Sequence, residues 1–396
     1  MRDERRSLLQ GFGALGLSSV GDLAAGLTLG SITGTLDQLP GLLVLVPAAI
    51  GMRGNIFGAL GSRLGTLIHT GDFRWSRRAT TPVGQNVAAA LLLSISMSAA
   101  LAFLAKAILI AAAVPNAISV ADLLVVSMIG GVLSSVVVLA ITVTVATMSA
   151  RRGWDLDNVA APIVTAAGDM VTLPALFVGT YAVGLQLVTP VAATACVVVG
   201  VVAGWAAVRS SLPVLRRIAR ESLPILLIAG IIDVIAGVTI EKRLESFVAF
   251  PALLVLVPPF LEDSGSLGGI LAARLSTRLH LGTLEPKLSN LRLVWDDVIL
   301  TYLFAISVFV LLGISANLVS AAFGLTSPGV LSVMQLSLLA GLFATTCAVV
   351  VAAVAAVMTY RLGLDPDNHG IPLVTSSLDL LGAVSLVIAI VLLGIS

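Results

Sequence analysis

The sequence predicts an all-α polytopic membrane protein: two parallel five-helix repeats joined by one extra transmembrane helix, about 11 crossings in all. Three observations carry this. Fifty-eight per cent of the residues are hydrophobic and 11% charged, with a mean hydropathy of +1.08. A soluble domain this apolar would leave no face for water. Apolar runs of about 20 residues or more follow one another, each long enough for the roughly 30 Å hydrocarbon core. Finally, an ordered set of residues from the first half returns in the second, offset by 211 and later 210 positions.

Charges, Pro and Gly bound these runs and place helices near 7–30, 41–70, 83–113, 121–150 and 159–182. A lone helix follows near 190–208, and five more lie near 213–240, 247–280, 293–321, 329–360 and 370–394. Arg2, Arg5 and Arg6 ahead of Leu8 to Val20 have the look of a signal peptide. The same element returns internally near 213–240, so we read it as a retained first helix. The expected division is a first repeat over 1–187, a linking helix and cytoplasmic turn over 188–211, and a second repeat over 212–396.

The duplication is visible residue by residue. Asp22 and Gly26 return as Asp233 and Gly237, and Leu43-Val-Leu-Val-Pro47 returns as Leu254-Val-Leu-Val-Pro258. Arg63, His69 and Gly71 return as Arg274, His280 and Gly282. Asp155-Leu-Asp157-Asn158, with Pro162, Thr165 and Asp169, returns as Asp365-Pro-Asp367-Asn368, with Pro372, Thr375 and Asp379.

Placing the N-terminus in the cytoplasm and the C-terminus outside puts every one of the 22 basic residues but Arg53, Lys106, Lys242 and Arg243 on the cytoplasmic side, as the positive-inside rule requires. A five-helix repeat ends on the side opposite its start. One extra crossing then lets the second repeat begin as the first did, so the single chain becomes a pseudo-dimer about an axis along the membrane normal.

Acids inside these helices are the candidate functional residues. Asp157 and Asn158 suit the N-cap of the fifth helix, with Pro162 in its first turn. Asp169 lies about 16 Å further on, near mid-membrane, with Thr165 one turn below on the same face. Thr375 and Asp379 repeat this, and Asp22 and Asp233 form a second pair in the first helices. Each central aspartate costs about 3 kcal/mol to insert, so four cost roughly 12. They must face protein or water, carry a proton, or meet a cation; the bland alternative is that they hydrogen-bond between helices.

The second helices place Pro47, Gly54 and Asn55, and Pro258, Glu262, Asp263, Gly265 and Ser266, within apolar runs, which reads as broken helix lining a cavity. The two halves differ here. Glu262 and Asp263 stand where the first repeat has Gly51 and Met52, and Ser264 and Ser266 align with Arg53 and Asn55. Arg53 is a candidate partner for Glu262 or Asp263 across the pseudo-axis.

His69, His280 and His369 fall at interfaces or in a loop, where histidine is usually only solvated, and Cys196 and Cys347 suit small packing roles without a disulfide framework. The candidate site therefore offers hard oxygen ligands, suited to Mg²⁺, Ca²⁺ or Mn²⁺. None of Lys106, Lys242 and Lys287 is followed by Ser or Thr, so there is no P-loop and no nucleotide partner, and a net charge of +1 points to no nucleic acid. No nucleophile–base pair or His-x-x-x-His spacing in the helices suggests an enzyme.

Asp-x-Asp-Asn with the downstream Pro, Thr and Asp resembles the fifth helix of the MgtE-type magnesium transporter domain. Pro47, Gly54-Asn55 and Arg63-Leu64, with Pro258 and Arg274-Leu-Ser-Thr277, are similar to the second helix of its tandem relatives, the animal solute-carrier magnesium transporters. The resemblance implies a Mg²⁺ channel or transporter in which Asp169 and Asp379 bind a largely hydrated ion, with Thr165 and Thr375 beside it. It also implies that one chain supplies both halves of a pore formed by two subunits in bacterial members. The N-terminal and CBS domains of those members have no counterpart here, and Ser266 departs from the Gly-Asn pattern.

The expectation is thus a divalent-cation transporter in the lipid bilayer of the cell membrane, with Asp169, Asp379, Thr165, Thr375, Asp22, Asp233, Asn55 and Asp263 as metal-facing residues. Two other readings stand beside it: a Na⁺- or H⁺-coupled exchanger using Asp22 and Asp233, and a non-transporting scaffold or sensor whose acids only pack helices.

Overall fold

The protein is described by a computed structural model covering residues 18–74, 76, 78–152, 156–285, 294–363 and 370–395, with backbone alone for 156–162 and 371. Among these residues every regular element is helical. α1 is described over 18–31. It is followed by α2 (Thr33–Gln38), α3 (Leu45–His69), α4 (Pro82–Ala111), α5 (Val120–Arg152), α6 (Leu156–Thr180) and α7 (Val188–Arg209). Then come α8 (Pro213–Glu241), α9 (Leu244–Ala249), α10 (Pro251–His280), α11 (Trp295–Ala322), α12 (Val330–Leu362) and α13 (Ile371–Leu393).

Nine described helices, α4 to α8 and α10 to α13, are long and apolar enough to cross a membrane. The chain is therefore a polytopic all-α membrane protein. α1 begins outside the described residues, and α3 carries Arg53, Asn55 and Arg63 along its length, so neither is among the nine.

Two features differ from the sequence expectation. Short helices, α2 and α9, precede the second helix of each repeat, where no separate element was expected. The second helices themselves are continuous. Pro47 is the third residue of α3, where a proline removes no helical hydrogen bond. Pro258 and Pro259 lie inside α10 without interrupting it. The chain breaks earlier, over residues 39–44 and at Phe250. Each second helix stops at a glycine in the left-handed region, Gly71 at φ 77° and Gly282 at φ 70°, a conformation other residues adopt only with strain.

The expected N-cap of α6 also moves. The described part of the helix begins at Leu156, so Asp157 and Asn158 are within the helix rather than at its cap. Asp155 and the counterparts Asp365, Asp367 and Asn368, with His369, lie outside the described residues.

The helices form two compact units. One gathers the described residues up to Ala25, Ala48–Ala111 and Ala117–Leu227; the other gathers Gly26–Pro47, Ala112–Asn116 and the residues from Ile228 onward. In the first, α4 packs on α5 and α7, and α5 on α6 and α7. In the second, α10 packs on α11, α12 and α13, α12 on α11 and α13, and α2 and α9 meet. Small residues allow the close approach: Ala340, Ala344, Ala348, Ala352 and Ala356 form one buried stripe at four-residue spacing along α12. Large side chains are exposed instead, as with Val198, Val202 and Trp205 on α7 and Leu303, Phe304 and Leu311 on α11, the pattern expected of surfaces in contact with lipid.

Lys106, one of the basic residues outside the positive-inside pattern, donates to the carbonyls of Ala117 and Ile118 at 3.1 and 2.8 Å. It fastens the α4–α5 turn, in which Ala113 and Asn116 take positive φ.

Candidate functional site

Each repeat builds the same junction from its own first, second and fifth helices. In the first unit, α1 meets α6 so closely that a Cβ on Gly21 would stand 3.0 Å from Ala166 Cβ. α3 meets the same stretch of α6: a Cβ on Gly54 would lie 3.7 Å from Thr165 Cγ2, and one on Gly168 would lie 3.5 Å from Arg53 Cβ. Asp22 and Asp169 are both buried here, and Ser18 Oγ donates to Asp22 Oδ2 at 3.4 Å. Thr165 and Asn55 are partly buried, and Asn55 Nδ2 has no hydrogen-bond acceptor among the described residues.

The second unit repeats the arrangement with shifted chemistry. A Cβ on Gly265 would lie 3.8 Å from Thr375, and one on Gly382 would lie 3.2 Å from Leu261 Cδ2 and 3.7 Å from Ser264 Oγ. Glu262 and Asp263 therefore sit at the level of Asp379. Asp233 and Glu262 are both near enough to Asp379 for their charges to act on it, and Glu262 acts likewise on Asp263. Asp233 is fully buried and faces Ser376, which stands where the first repeat has Ala166. The pair misses hydrogen-bond geometry, so neither carboxylate oxygen of Asp233 nor the Ser376 hydroxyl has a hydrogen-bond partner among the described residues.

Arg53 does not take the expected carboxylate partner. It is 1% exposed, and its guanidinium donates to three serines: Nε to Ser134 Oγ at 3.1 Å, Nη1 to Ser94 Oγ at 3.3 Å and Nη2 to Ser98 Oγ at 2.9 Å. Gly131 makes room for this group, since a Cβ there would stand 2.0 Å from Ser98 Oγ and 2.6 Å from Nη2. At the matching position of the second repeat, Ser264 Oγ donates to the Phe260 carbonyl of its own helix at 2.7 Å. The signal for the Arg53 pocket lay in Ser94, Ser98 and Ser134, hydroxyls in otherwise apolar runs opposite an arginine.

His280 is not merely solvated. His280 Nδ1 donates to the Ser276 carbonyl at 2.8 Å, and its ring meets Tyr360 edge-on. Among the described residues no three Asp, Glu, His or Cys side chains converge closely enough to hold a bare metal ion.

A family model described as MgtE, divalent cation transporter, matches the chain twice, over residues 46–179 and 257–389. The chain belongs to the MgtE family of divalent cation transporters. The two matched segments each contain one copy of the Arg63, His69, Gly71 and Pro162, Thr165, Asp169 motifs, so the internal repeat is a tandem of MgtE segments. Membership also makes the protein a transporter and not an enzyme. Among curated relatives, solute carrier family 41 member 3 of Rattus norvegicus is 25% identical over 92% of this chain and 83% of its own length. Solute carrier family 41 member 2 of Xenopus laevis is 25% identical over 96% of this chain and 70% of its own. The Homo sapiens member 2 is 24% identical over 69% of this chain and 49% of its own. No solved structure gives a significant match.

Proposed function

We propose that this MgtE-family chain carries Mg²⁺ across the membrane as a largely hydrated ion, with Asp169 and Asp379 as the carboxylates that face it. Thr165 and Thr375 stand one turn below them, and Asn55, Asp22, Asp233 and Asp263 complete the polar surroundings. The observation that carries the reading is the junction of first, second and fifth helices, built twice around carboxylates, with Asp22, Asp169 and Asp233 buried and Asp379 partly buried, in a membrane protein of this family. A largely hydrated ion suits Mg²⁺, which dehydrates reluctantly. The chain acts as a single-chain pseudo-dimer of the cell membrane, with the N-terminus cytoplasmic and the C-terminus outside, as its distribution of basic residues requires.

The test is Mg²⁺ flux into vesicles containing the purified full chain, driven by a Mg²⁺ gradient and voltage. Flux should collapse in the double variant Asp169→Asn, Asp379→Asn. A well-folded double variant with unchanged flux would reject the assignment.

A further inference from the structure

We propose that cation binding is asymmetric: the second repeat holds the high-affinity site, formed by Asp379, Glu262 and Asp233 with the Ser376 hydroxyl and occupied by a hydrated divalent cation, while Arg53 makes the first repeat the weak half. This rests on the transport function above and assigns the ion to particular residues of one repeat.

The argument starts from charge. The first repeat places Asp22 and Asp169 in its junction and, beside Gly168, a permanently cationic Arg53. Two carboxylates against one guanidinium leave one negative charge when ionised. The second repeat places Asp233, Glu262, Asp263 and Asp379 at the corresponding level, and Ser264 contributes no charge. No Lys, Arg or His occurs in α8 beyond Arg220, in α10 before Arg274, or anywhere in α13. Four carboxylates gathered on these three helices without a basic residue among them repel one another, Asp233 fully buried and Glu262, Asp263 and Asp379 partly so, and a dication relieves them.

A second observation points to an occupant. Asp233 is 0% exposed, yet neither of its carboxylate oxygens is hydrogen-bonded, and the buried Ser376 hydroxyl facing it is equally unsatisfied. Buried polar groups are nearly always partnered. Water held by an ion is the partner that suits an acid and a hydroxyl together, and such outer-sphere contact needs no tight cluster of ligands. In the first repeat Ala166 stands where the second has Ser376, and Asp22 accepts from Ser18 of its own helix.

The experiment is a titration of the purified full chain in detergent with Mn²⁺, reading free Mn²⁺ by its electron paramagnetic resonance signal, with thermal melting as the check on folding. Glu262→Gln and Asp233→Asn should each raise the Kd by about tenfold or more, and Asp22→Asn by several-fold less than Asp233→Asn. Ser376→Ala removes no charge and serves where an acid variant fails to fold; it should weaken binding by a few fold, about the loss of one water-mediated contact. If folded Glu262→Gln and Ser376→Ala bind as the wild type does while Asp379→Asn does not bind, the asymmetric site is wrong and the transport function stands. If Asp22→Asn costs as much as Asp233→Asn, the asymmetry is wrong. A wild-type chain with neither saturable Mn²⁺ binding nor Mg²⁺ flux sinks both.

Discussion

Gly26 lies against the backbone of Val255: a Cβ on Gly26 would stand 2.1 Å from the Val255 carbonyl oxygen. The equivalent contact, 211 residues on in one partner and back in the other, joins Gly237 to Val44, where the distance would be 2.4 Å. The first helix of each repeat thus presses on the start of the second helix of the other. Residue 259 is a proline, so the Val255 carbonyl lacks its helical N–H partner and is open to this approach. Gly26→Ala and Gly237→Ala should therefore each destabilise the protein by about 1–3 kcal/mol through overpacking. Gly58→Ala, with nothing within 4 Å of the added methyl, should be neutral or stabilise by up to about 1 kcal/mol. Thermal melting of the three variants in detergent checks the contrast, and equal melting temperatures would refute it.

Arg53 makes a prediction of opposite sense to its apparent importance. Its charge is buried without a carboxylate, and two of its three serines already donate within their own helices, Ser98 to the Ser94 carbonyl at 2.8 Å and Ser134 to the Gly130 carbonyl at 2.7 Å. Arg53→Met removes the desolvated charge and strands no donor on those two, so it should change stability by less than about 1.5 kcal/mol. Ser98→Ala leaves a buried guanidinium N–H unsatisfied and should cost about 1.5–3 kcal/mol. Chemical denaturation in mixed micelles would show the order; a Met variant less stable than the Ala variant would mean that the cation itself holds α3, α4 and α5 together.

Glu241 closes α8 onto the turn before α3. Its Oε1 accepts from the Gly41 N–H at 2.6 Å, and the Leu43 N–H adds a second backbone contact. Gly41 has φ 91°, so the turn is fixed in a conformation that suits glycine and little else. Glu241→Ala should leave a buried N–H without an acceptor, cost about 1–3 kcal/mol and loosen residues 39–44. Glu241→Gln keeps a carbonyl acceptor and should keep most of the stability. Hydrogen exchange localises the effect: faster exchange confined to this turn in the Ala variant is the expected pattern, and protection equal to wild type would remove Glu241 from the role.

The fold was largely legible because membrane helices announce themselves by length and apolar content, and the duplication of Asp22, Gly26, Thr165 and Asp169 could be counted directly. The interruptions were less legible. Pro258 and Pro259 suggest a break, but α10 runs through them without interruption, and the real break at Phe250 is marked by Pro251, which disfavours helix in the residue before it and opens the next one. α2 and α9 are 6 residues each, too short for a periodic signal. At the site, the acids stood out because carboxylates are costly inside helices. The serines around Arg53 did not, because a serine satisfies its own hydroxyl within a helix and shows no partner in the sequence. Glu262 and Asp263 were noticed as an asymmetry, but their level beside Asp379 needed the α10–α13 packing.

Gln85 shows how a distant side chain can cap a helix. From α4 its Oε1 accepts from the Val214 and Leu215 N–H groups at 3.0 and 3.4 Å, at the start of α8. These are first-turn donors with no partner inside the helix, and Pro213 ahead of them has no N–H to satisfy. Gln85→Ala should cost about 1 kcal/mol, the usual value of a lost N-cap. Gln85→Glu places a negative charge at the positive end of the helix and should gain about 0.3–1 kcal/mol, or more where the site is shielded from water. The gain should shrink as pH falls and the new carboxylate takes up a proton, because the neutral form loses the attraction to the helix end. Melting temperatures of both variants measured across pH decide the matter: a Glu variant no more stable than wild type at neutral pH would show that the contact is geometric and the helix dipole contributes nothing there.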